Sequence, residues 1–303
     1  MQQADLVKQL DAFFAVLSFD ETDRWRPLFS DAAFRVFEHY AAPSFINGPW
    51  NGLMLDNTDT VETVYLIVFP AQEVLDTIIA REVAGGAPGA MIFAHHPTDF
   101  EESGRGYVPI PEEQLEELKN HGISYYCCHA PLDCHPEVST ATALANVLGL
   151  REQQRFAPYY GGLSAVHGLV GKESPVSFQA FAARLAKVTD VGHLRYDQVR
   201  HNGQPVSRVA VVPGNGGRAD LIREAAALGC DTYVTGHWWF FSEHEQAGQA
   251  RAEMRDLLPE VRMNLLAASH YATEMVVMRD QMPGWFEDLG LEAVPIPQSN
   301  PWR

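Results

Sequence analysis

Residues 64–97 read VYLIVFPAQEVLDTIIAREVAGGAPGAMIFAHHP and contain two short apolar runs around a segment whose apolar residues recur at helical spacing. The runs at 64–69 and 91–94 have the length of buried strands, and a proline and a Gly-rich turn bound the segment between them. This order of strand, helix and strand is typical of a parallel sheet covered by helices. The second strand runs directly into His95 and His96.

The same alternation continues along the rest of the chain. We expect further strands at 123–129, 163–170, 207–212, 231–235 and 263–267, and helices at 4–17, 111–121, 137–148, 176–187, 219–228, 245–257 and 271–281. The pattern predicts an α/β fold with a largely parallel sheet. The stretch 151–160 is the best candidate boundary between two lobes, 1–150 and 151–303. Pro295–Pro301 is interpreted as an exposed tail or a docking strand.

The composition argues against several classes of protein. The 303 residues are 46% hydrophobic, enough for a sizeable core, and their formal net charge of -17 repels phosphate backbones, so we expect no nucleic-acid partner. No apolar run approaches the ~20 residues of a membrane span, and the first residues lack the features of a secretory signal. The four cysteines show no CxxC spacing and indicate reduced thiols. We therefore expect a cytoplasmic protein that contacts no membrane.

Three groups of polar residues directly follow predicted strands. They are His95-His96-Pro97, His129-Ala-Pro-Leu-Asp133 and Ser269-His270-Tyr-Ala-Thr-Glu274. In α/β sheets, sites form beyond the carboxyl ends of the strands, so these groups can converge on one edge.

Their residue types predict a site for two metal ions. Adjacent histidines on extended backbone point in different directions, which suits two ions better than one. His270 and Glu274 share one face of a helix, where the carboxylate can bridge two ions, and Asp133 adds an oxygen ligand or serves as a helix N-cap. Imidazole and carboxylate donors suit zinc, iron or manganese. The predicted ligands are His95, His96, Asp133, His270 and Glu274.

A Gly-rich turn consisting of Gly214, Asn215, Gly216 and Gly217 follows a predicted strand and opens a helix. It matches the dinucleotide fingerprint loosely, but the next strand does not end in an acidic residue, which argues against a nicotinamide cofactor. Two interpretations stay open. The segment is a tight strand-to-helix turn, or its backbone amides bind a phosphate or carboxylate near the metals.

Taken in order, several motifs resemble the NIF-three-like dinuclear metal-centre family, whose members are often described as type 2 GTP cyclohydrolase I homologues. The motifs are Asn51-Gly-Leu53, His95-His96-Pro97, His129-x-x-Leu132-Asp133, Leu148-Gly-Leu150, Pro213-Gly-Asn-Gly-Gly217, Asp231-x-x-x-Thr235-Gly236 and His270-Tyr-x-x-Glu274. The similarity spans roughly residues 45–285 and implies two related α/β lobes, with mainly parallel or mixed sheets, assembled as a ring-shaped hexamer.

The resemblance also implies roles for individual residues. His95 and His96 would each ligate one metal, Asp133 and His270 would complete the two ligand sets, and Glu274 would bridge. His129 would lie close by and hydrogen-bond to a ligand or a bound water.

The sequence departs from the family pattern beside these ligands. Phe69-Pro70 stands where the first strand usually ends in an aspartate, and His237 replaces an acidic residue after Thr235-Gly236. The segment Trp238–Phe241 also looks longer than usual, and is either an oligomer contact, a pocket lid or part of the core. These differences leave the ligands intact but alter the pocket wall and hence the substrate.

Two functions follow from this reading. The first is a metal-dependent hydrolase acting on a nucleotide-like or phosphorylated small molecule, in which His129 or His237 moves protons. Ring-opening of GTP is what the family description suggests. The alternative is a non-catalytic regulatory or chaperone-like hexamer that binds metal. Five protein ligands cannot fill the eight tetrahedral positions of two ions, which favours bound water and therefore catalysis.

Overall fold

The computed structural model describes residues 1–85, 89–101, 104, 106–170, 175–196, 200–239 and 245–303. Two compact units divide the chain. Unit 1 comprises Met1–Phe100, Tyr107–His135 and Met278–Ser299, and unit 2 comprises Glu101–Gly106, Pro136–Val277 and Asn300–Arg303.

The strands are β1 Gly52–Leu55, β2 Thr63–Ile67, β3 Ala90–Ala94, β4 Asp99–Glu101, β5 Gly106–Val108, β6 Ile123–Cys127, β7 Leu150–Tyr159, β8 Gly162–Val170, β9 Arg208–Val212, β10 Thr232–Thr235, β11 Asn264–Ala267 and β12 Glu292–Pro295. The α-helices are α1 Gln3–Phe13, α2 Thr22–Trp25, α3 Asp31–Tyr40, α4 Pro43–Ile46, α5 Gln72–Gly85, α6 Glu112–Asn120, α7 Ala130–Cys134, α8 Thr140–Val147, α9 Phe178–Thr189, α10 Ala219–Ala227, α11 Glu245–Leu257, α12 His270–Asp280 and α13 Met282–Glu287. Short 3-10 helices span Val16–Ser18 and Arg26–Leu28.

Unit 1 contains a five-stranded sheet in the order β1-β6-β3-β2-β12. The last four of these strands run parallel, and β1 pairs antiparallel with β6 at one edge. Every residue of β3 and β6 is buried, as expected for central strands covered on both faces. Ala94 pairs with both Ile67 and Cys127, so β2, β3 and β6 end at the same edge of the sheet. The histidines that follow β3 and β6 therefore emerge side by side.

Unit 2 contains a second five-stranded sheet in the order β11-β10-β9-β8-β7. The strands β9, β10 and β11 are parallel, whereas β8 is antiparallel to both β9 and β7. Thr235 pairs with Val212 and with Ala267, so the three parallel strands end level with one another. The segments that begin at Pro213, Gly236 and Ala268 leave the sheet at this edge.

The α/β fold with mainly parallel or mixed sheets is confirmed: four strands of the unit 1 sheet are parallel, and the unit 2 sheet is mixed. The strands β1, β4, β5, β7 and β12 lie outside the strands predicted from the sequence. Helix α8 packs on β7 and β8, and all three elements belong to unit 2. The predicted lobe boundary at 151–160 therefore lies within unit 2, which the chain enters after His135. Of the C-terminal Pro-rich segment, only Pro295 lies in a strand, β12, which pairs with β2, so the docking-strand interpretation holds for its first residue alone. Within the described ranges, no helix has both the length and the apolar character needed to cross a membrane.

Candidate metal-binding site

His95 and His96 continue the pairing of β2 and β3 past the ends of both strands. The backbone N–H of His95 donates to the carbonyl of Ile67 at 3.1 Å. The N–H of His96 donates to the carbonyl of Val68 at 3.0 Å. Successive side chains of such extended backbone point to opposite sides, and the two ring planes meet at 76°. Both side chains are fully buried, so the sheet edge presents two differently oriented imidazoles in a dry environment.

The hydrogen bond of His95 determines which ring nitrogen can bind a metal. Nδ1 of His95 lies 3.0 Å from the carbonyl oxygen of Cys128. A carbonyl only accepts, so Nδ1 carries the proton and Nε2 presents its lone pair. That Nε2 lies 3.6 Å from Oδ1 of Asp133. Two ligands of one tetrahedral zinc ion lie roughly 3.4 Å apart, so this pair has the spacing of a shared ion.

Aromatic side chains surround His96. The ring of Phe69 stacks on it with centroids 4.3 Å apart, and the ring of Trp25 meets it edge-on at 5.8 Å. The hydroxyl of Tyr125 donates to its backbone carbonyl at 2.6 Å. An apolar ring face therefore lies directly against this imidazole.

His129 joins the two strand-end histidines. Its ring stacks on that of His95 at 4.7 Å and lies 4.8 Å from that of His96. The three residues each offer a ring nitrogen, and these nitrogens lie within 4.8 Å of one another. His129 is the N-cap residue of α7, and Asp133 lies inside that helix. The helix-cap interpretation of Asp133 is therefore wrong.

A buried carboxylate that the sequence did not reveal holds His129 in place. Oε1 of Glu21 lies 2.8 Å from Nδ1 of His129. Oε2 of Glu21 accepts from the backbone N–H of Ala130 and from the amide of Asn51, both at 2.9 Å. Burial raises the pKa of Glu21, while Arg24, the Asn51 amide and the Ala130 N–H act in the opposite direction.

Sequence patterns gave no reason to select Glu21. It lies just before a four-residue helix, with no strand ahead of it and no spacing relation to the histidines. Asn51 belonged to a recognised motif, but its contact with the site is visible only in three dimensions. Its Oδ1 accepts from the backbone N–H of His129 at 2.8 Å.

A second group of ligand-type residues lies in unit 2. His270 begins α12, and Glu274 follows one turn later on the same face. Nε2 of His270 lies 3.1 Å from Oε1 of Glu274, and both side chains are buried. The predicted pairing of these two residues on one helix face is present in the structure.

The Gly-rich turn after β9 packs against this helix. The N–H of Gly214 donates to the hydroxyl of Thr273 at 3.0 Å. The N–H of Gly216 donates to the hydroxyl of Thr235 at 3.1 Å. These two amides are therefore engaged within the protein, and an anion would use the amides of Asn215 and Gly217. The tight-turn interpretation describes what the turn does here, and anion binding stays a prediction.

His237 lies beside the same turn and is buried. Its Nε2 lies 3.1 Å from Oδ1 of Asn215, and its ring meets that of His270 edge-on at 5.5 Å. Of the following aromatic residues, Trp238 and Trp239 pack in the unit 2 core. Phe240 and Phe241 lie outside the described residues.

The donors present fit divalent transition metals. Unit 1 gathers His95, His96, His129 and Asp133, and unit 2 pairs His270 with Glu274. Neutral imidazole and carboxylate are the ligands that zinc, iron and manganese take in proteins. Buried charges are stable when paired or when they coordinate a metal, which gives the buried acidic groups a reason to be there.

The sequence profile described as Duf34/NIF3 (NGG1p interacting factor 3) matches residues 33–301. A curated relative from Pyrococcus horikoshii, named GTP cyclohydrolase 1 type 2 homolog, is 30% identical over 246 residues, which cover 80% of this chain and 87% of the relative. A protein of the same name from Deinococcus radiodurans is 29% identical over 233 residues, covering 76% of this chain and 77% of the relative.

Solved structures share the fold. The structure described as "Structural genomics, protein ybgI, unknown function" has a TM-score of 0.64 and 23% identity, covering 99% of this chain and 100% of that chain. "Reduced HcgD from Methanocaldococcus jannaschii" has a TM-score of 0.62 and 18% identity, covering 98% of each chain. The profile match extends over most of the sequence and confirms the resemblance found in the motifs. The chain therefore belongs to the Duf34/NIF3 family.

Proposed function

We propose that this protein is a metal-dependent hydrolase that binds two divalent ions and acts on a nucleotide-like or phosphorylated small molecule. The proposed ligands are His95, His96, Asp133, His270 and Glu274. The observation that carries the proposal is the buried group at the ends of β3 and β6, where Nε2 of His95 faces Asp133 at the spacing of two ligands of one ion. Zinc, iron and manganese all suit these donors.

The chemistry divides between the ions and the protein. Bound divalent ions would lower the pKa of a water molecule and polarise a carbonyl or phosphoryl oxygen. The carbonyl of Cys128 fixes the ring of His95, and the aromatic rings around His96 exclude water from that side. Both histidines predicted to move protons have a polar partner that can orient the ring, Glu21 for His129 and Asn215 for His237.

The substrate class rests on two supports. Curated relatives carry the name GTP cyclohydrolase 1 type 2 homolog, so ring-opening of GTP is the first reaction to assay. The amides of Asn215 and Gly217, at the end of β9, supply a place for a phosphate. We also propose that the protein is cytoplasmic and that it assembles as a hexamer.

Metal content is the first test. We expect about two ions per chain in the wild type by plasma mass spectrometry, after soaking in zinc, iron or manganese. Glu274→Ala should lose a clear fraction of this metal because it removes the carboxylate next to His270. Glu117→Ala, on the exposed face of α6, is the control and should retain it. Near-zero metal in folded wild type would overturn the proposal.

Activity is the second test. The metal-loaded wild type would be assayed against GTP, other nucleotides and phosphorylated small molecules, with His237→Ala as the comparison. We expect turnover of at least one member of this panel and about a 100-fold or greater loss in the variant. Two tightly bound ions without turnover would instead support the regulatory or chaperone-like hexamer.

A further inference from the structure

The segment Asp20–Trp25 contributes two buried side chains to the histidine group, although it precedes the part of the chain that matches the family profile. Trp25 is fully buried and meets the ring of His129 edge-on, with centroids 4.8 Å apart and planes at 89°. Glu21 is also fully buried and contacts Nδ1 of the same ring. A local segment therefore covers His129 from two sides.

The partners of Glu21 indicate the proton positions. Oε2 accepts from two N–H groups, one from Ala130 and one from Asn51, and neither can act as an acceptor there. Arg24 lies 3.9 Å from Oε1. This set of donors suits an ionised carboxylate, which accepts from His129. Nδ1 of His129 then carries a proton, and in the neutral imidazole Nε2 presents its lone pair.

The packing around the His129 ring limits what the lone pair on Nε2 can bind. His129 is 3% exposed, with the ring of His95 on one face and Trp25 at its edge. Such a ring is poorly placed to exchange protons with solvent. One of its ring nitrogens instead lies within 4.8 Å of a ring nitrogen of His95 and of one of His96. His95 shows the same arrangement, with Nδ1 held by an acceptor and Nε2 facing Asp133.

We propose that Glu21 holds His129 in the Nδ1–H tautomer and thereby makes Nε2 of His129 a metal ligand beside His95 and His96. The inference rests on the proposed metal binding and changes the role of His129 from proton carrier to ligand. Carboxylates commonly fix metal-binding histidines through the second ring nitrogen.

The tautomer is measured first, in metal-free wild type, from the ¹⁵N chemical shifts of the His129 ring. We expect a protonated Nδ1 and an unprotonated Nε2. Addition of zinc should then shift the Nε2 resonance of His129 along with that of His95. A protonated Nε2 in the metal-free protein, or an Nε2 signal unchanged in zinc-loaded protein, would overturn the assignment. This measurement needs no variant and holds even where a substitution prevents folding.

Zinc affinity supplies the second measurement. Glu21→Gln should weaken binding of the ion that shifts His95 by about 10–100-fold, as found when carboxylate partners of ligand histidines are removed. Glu117→Gln is the matched control, because Glu117 contacts His121 at 3.3 Å on the exposed face of α6, and it should leave zinc binding unchanged. Wild-type affinity in folded Glu21→Gln would overturn the role of Glu21 alone. Wild type that binds no zinc would overturn the metal function as well.

Discussion

At the residue scale, Gly214 shows how closely the backbone approaches the ligand pair of α12. A Cβ atom at this position would lie 1.9 Å from Oε1 of Glu274 and 2.9 Å from Nε2 of His270. Its φ of 65° is in the left-handed region, which side chains disfavour. Glycine is therefore required here by both space and conformation, and any larger residue must displace the side chains of His270 and Glu274, both proposed as ligands.

Gly214→Ala should accordingly impair metal binding and lower stability together. We expect a loss of metal bound by His270 and Glu274, and a fall of about 1–3 kcal/mol in the free energy of unfolding. Metal content and denaturant unfolding measure the two effects. Gly284→Ala in α13 is the control, because nothing lies within 4 Å of its added Cβ, and it should be neutral or stabilising. Full metal content in Gly214→Ala would contradict this view of the turn.

The sequence allowed us to predict the site residues that directly follow strands. It did not allow us to predict Glu21, which enters the site from a distant part of the chain. His95, His96, His129 and Asp133 could be selected because the carboxyl ends of parallel strands meet at one edge. Glu21 comes from a loop and a single helical turn, whose path no periodicity predicts. Its burial beside His129 depends on tertiary packing alone.

At the scale of elements, β8 carries a titratable residue into the unit 2 sheet. His167 is buried and pairs with Ala210 of β9. Its Nδ1 lies 3.2 Å from Nη1 of Arg208, which donates to it. Burial lowers the pKa of His167, and the positive charge of Arg208 lowers it further. The folded sheet therefore favours the neutral imidazole.

This arrangement predicts a loss of stability in acid. Below the ordinary pKa of 6.5, the unfolded chain binds a proton at His167 more readily than the folded chain, so stability falls as the pH decreases through that range. His167→Gln keeps an acceptor for Arg208 but cannot titrate. We would measure Tm at pH 7.5 and at pH 5.5, in the presence of a metal chelator. The decrease in Tm between these pH values should be about 1–3 °C smaller for the variant than for the wild type. His39→Gln, which changes an exposed histidine, should behave as wild type. Equal pH dependence in all three would contradict the prediction.

Strands β7 and β12 were missed because neither has the apolar pattern by which a strand is predicted from sequence. Residues 151–155 of β7 are the polar run REQQR, which lacks the apolar alternation of a half-buried strand. Strand β12 has four residues and ends in Pro295, which is tolerated because it lies at an edge. Apart from α3, which was not predicted, the long helices carried helical periodicity and were predicted to within a few residues. The buried strands β2, β3 and β9 were predicted equally closely, because each is a short apolar run.

At the scale of the whole molecule, the protein is strongly acidic and its ligand-type residues are buried. A net charge of -17 attracts cations of any kind to the surface, so loosely bound metal is expected beside specifically bound metal. The two kinds differ in chemistry. Surface carboxylates take magnesium as readily as other divalent ions, whereas imidazole groups prefer zinc and its neighbours.

Thermal unfolding separates these two kinds of binding. Free zinc at about 100 times its Kd should stabilise the wild type by about 2.7 kcal/mol, a shift of a few °C in Tm, because it binds the folded chain. Magnesium at the same concentration and ionic strength should shift the Tm by much less. The double variant His95→Ala and His96→Ala should lose most of the zinc shift. Equal shifts with both metals would indicate surface binding only.

The contact between Glu21 and His129 limits what alignment can transfer between relatives. If Glu21 sets the tautomer of His129 as proposed, relatives can share the strand-end histidine and still differ in the protonation state of its ring, because that state depends on a segment outside the matched profile. In a relative without a counterpart of Asp20–Trp25, the same histidine can adopt the other tautomer and serve a different chemical role. Identity of residue type is then no guarantee of identity of role.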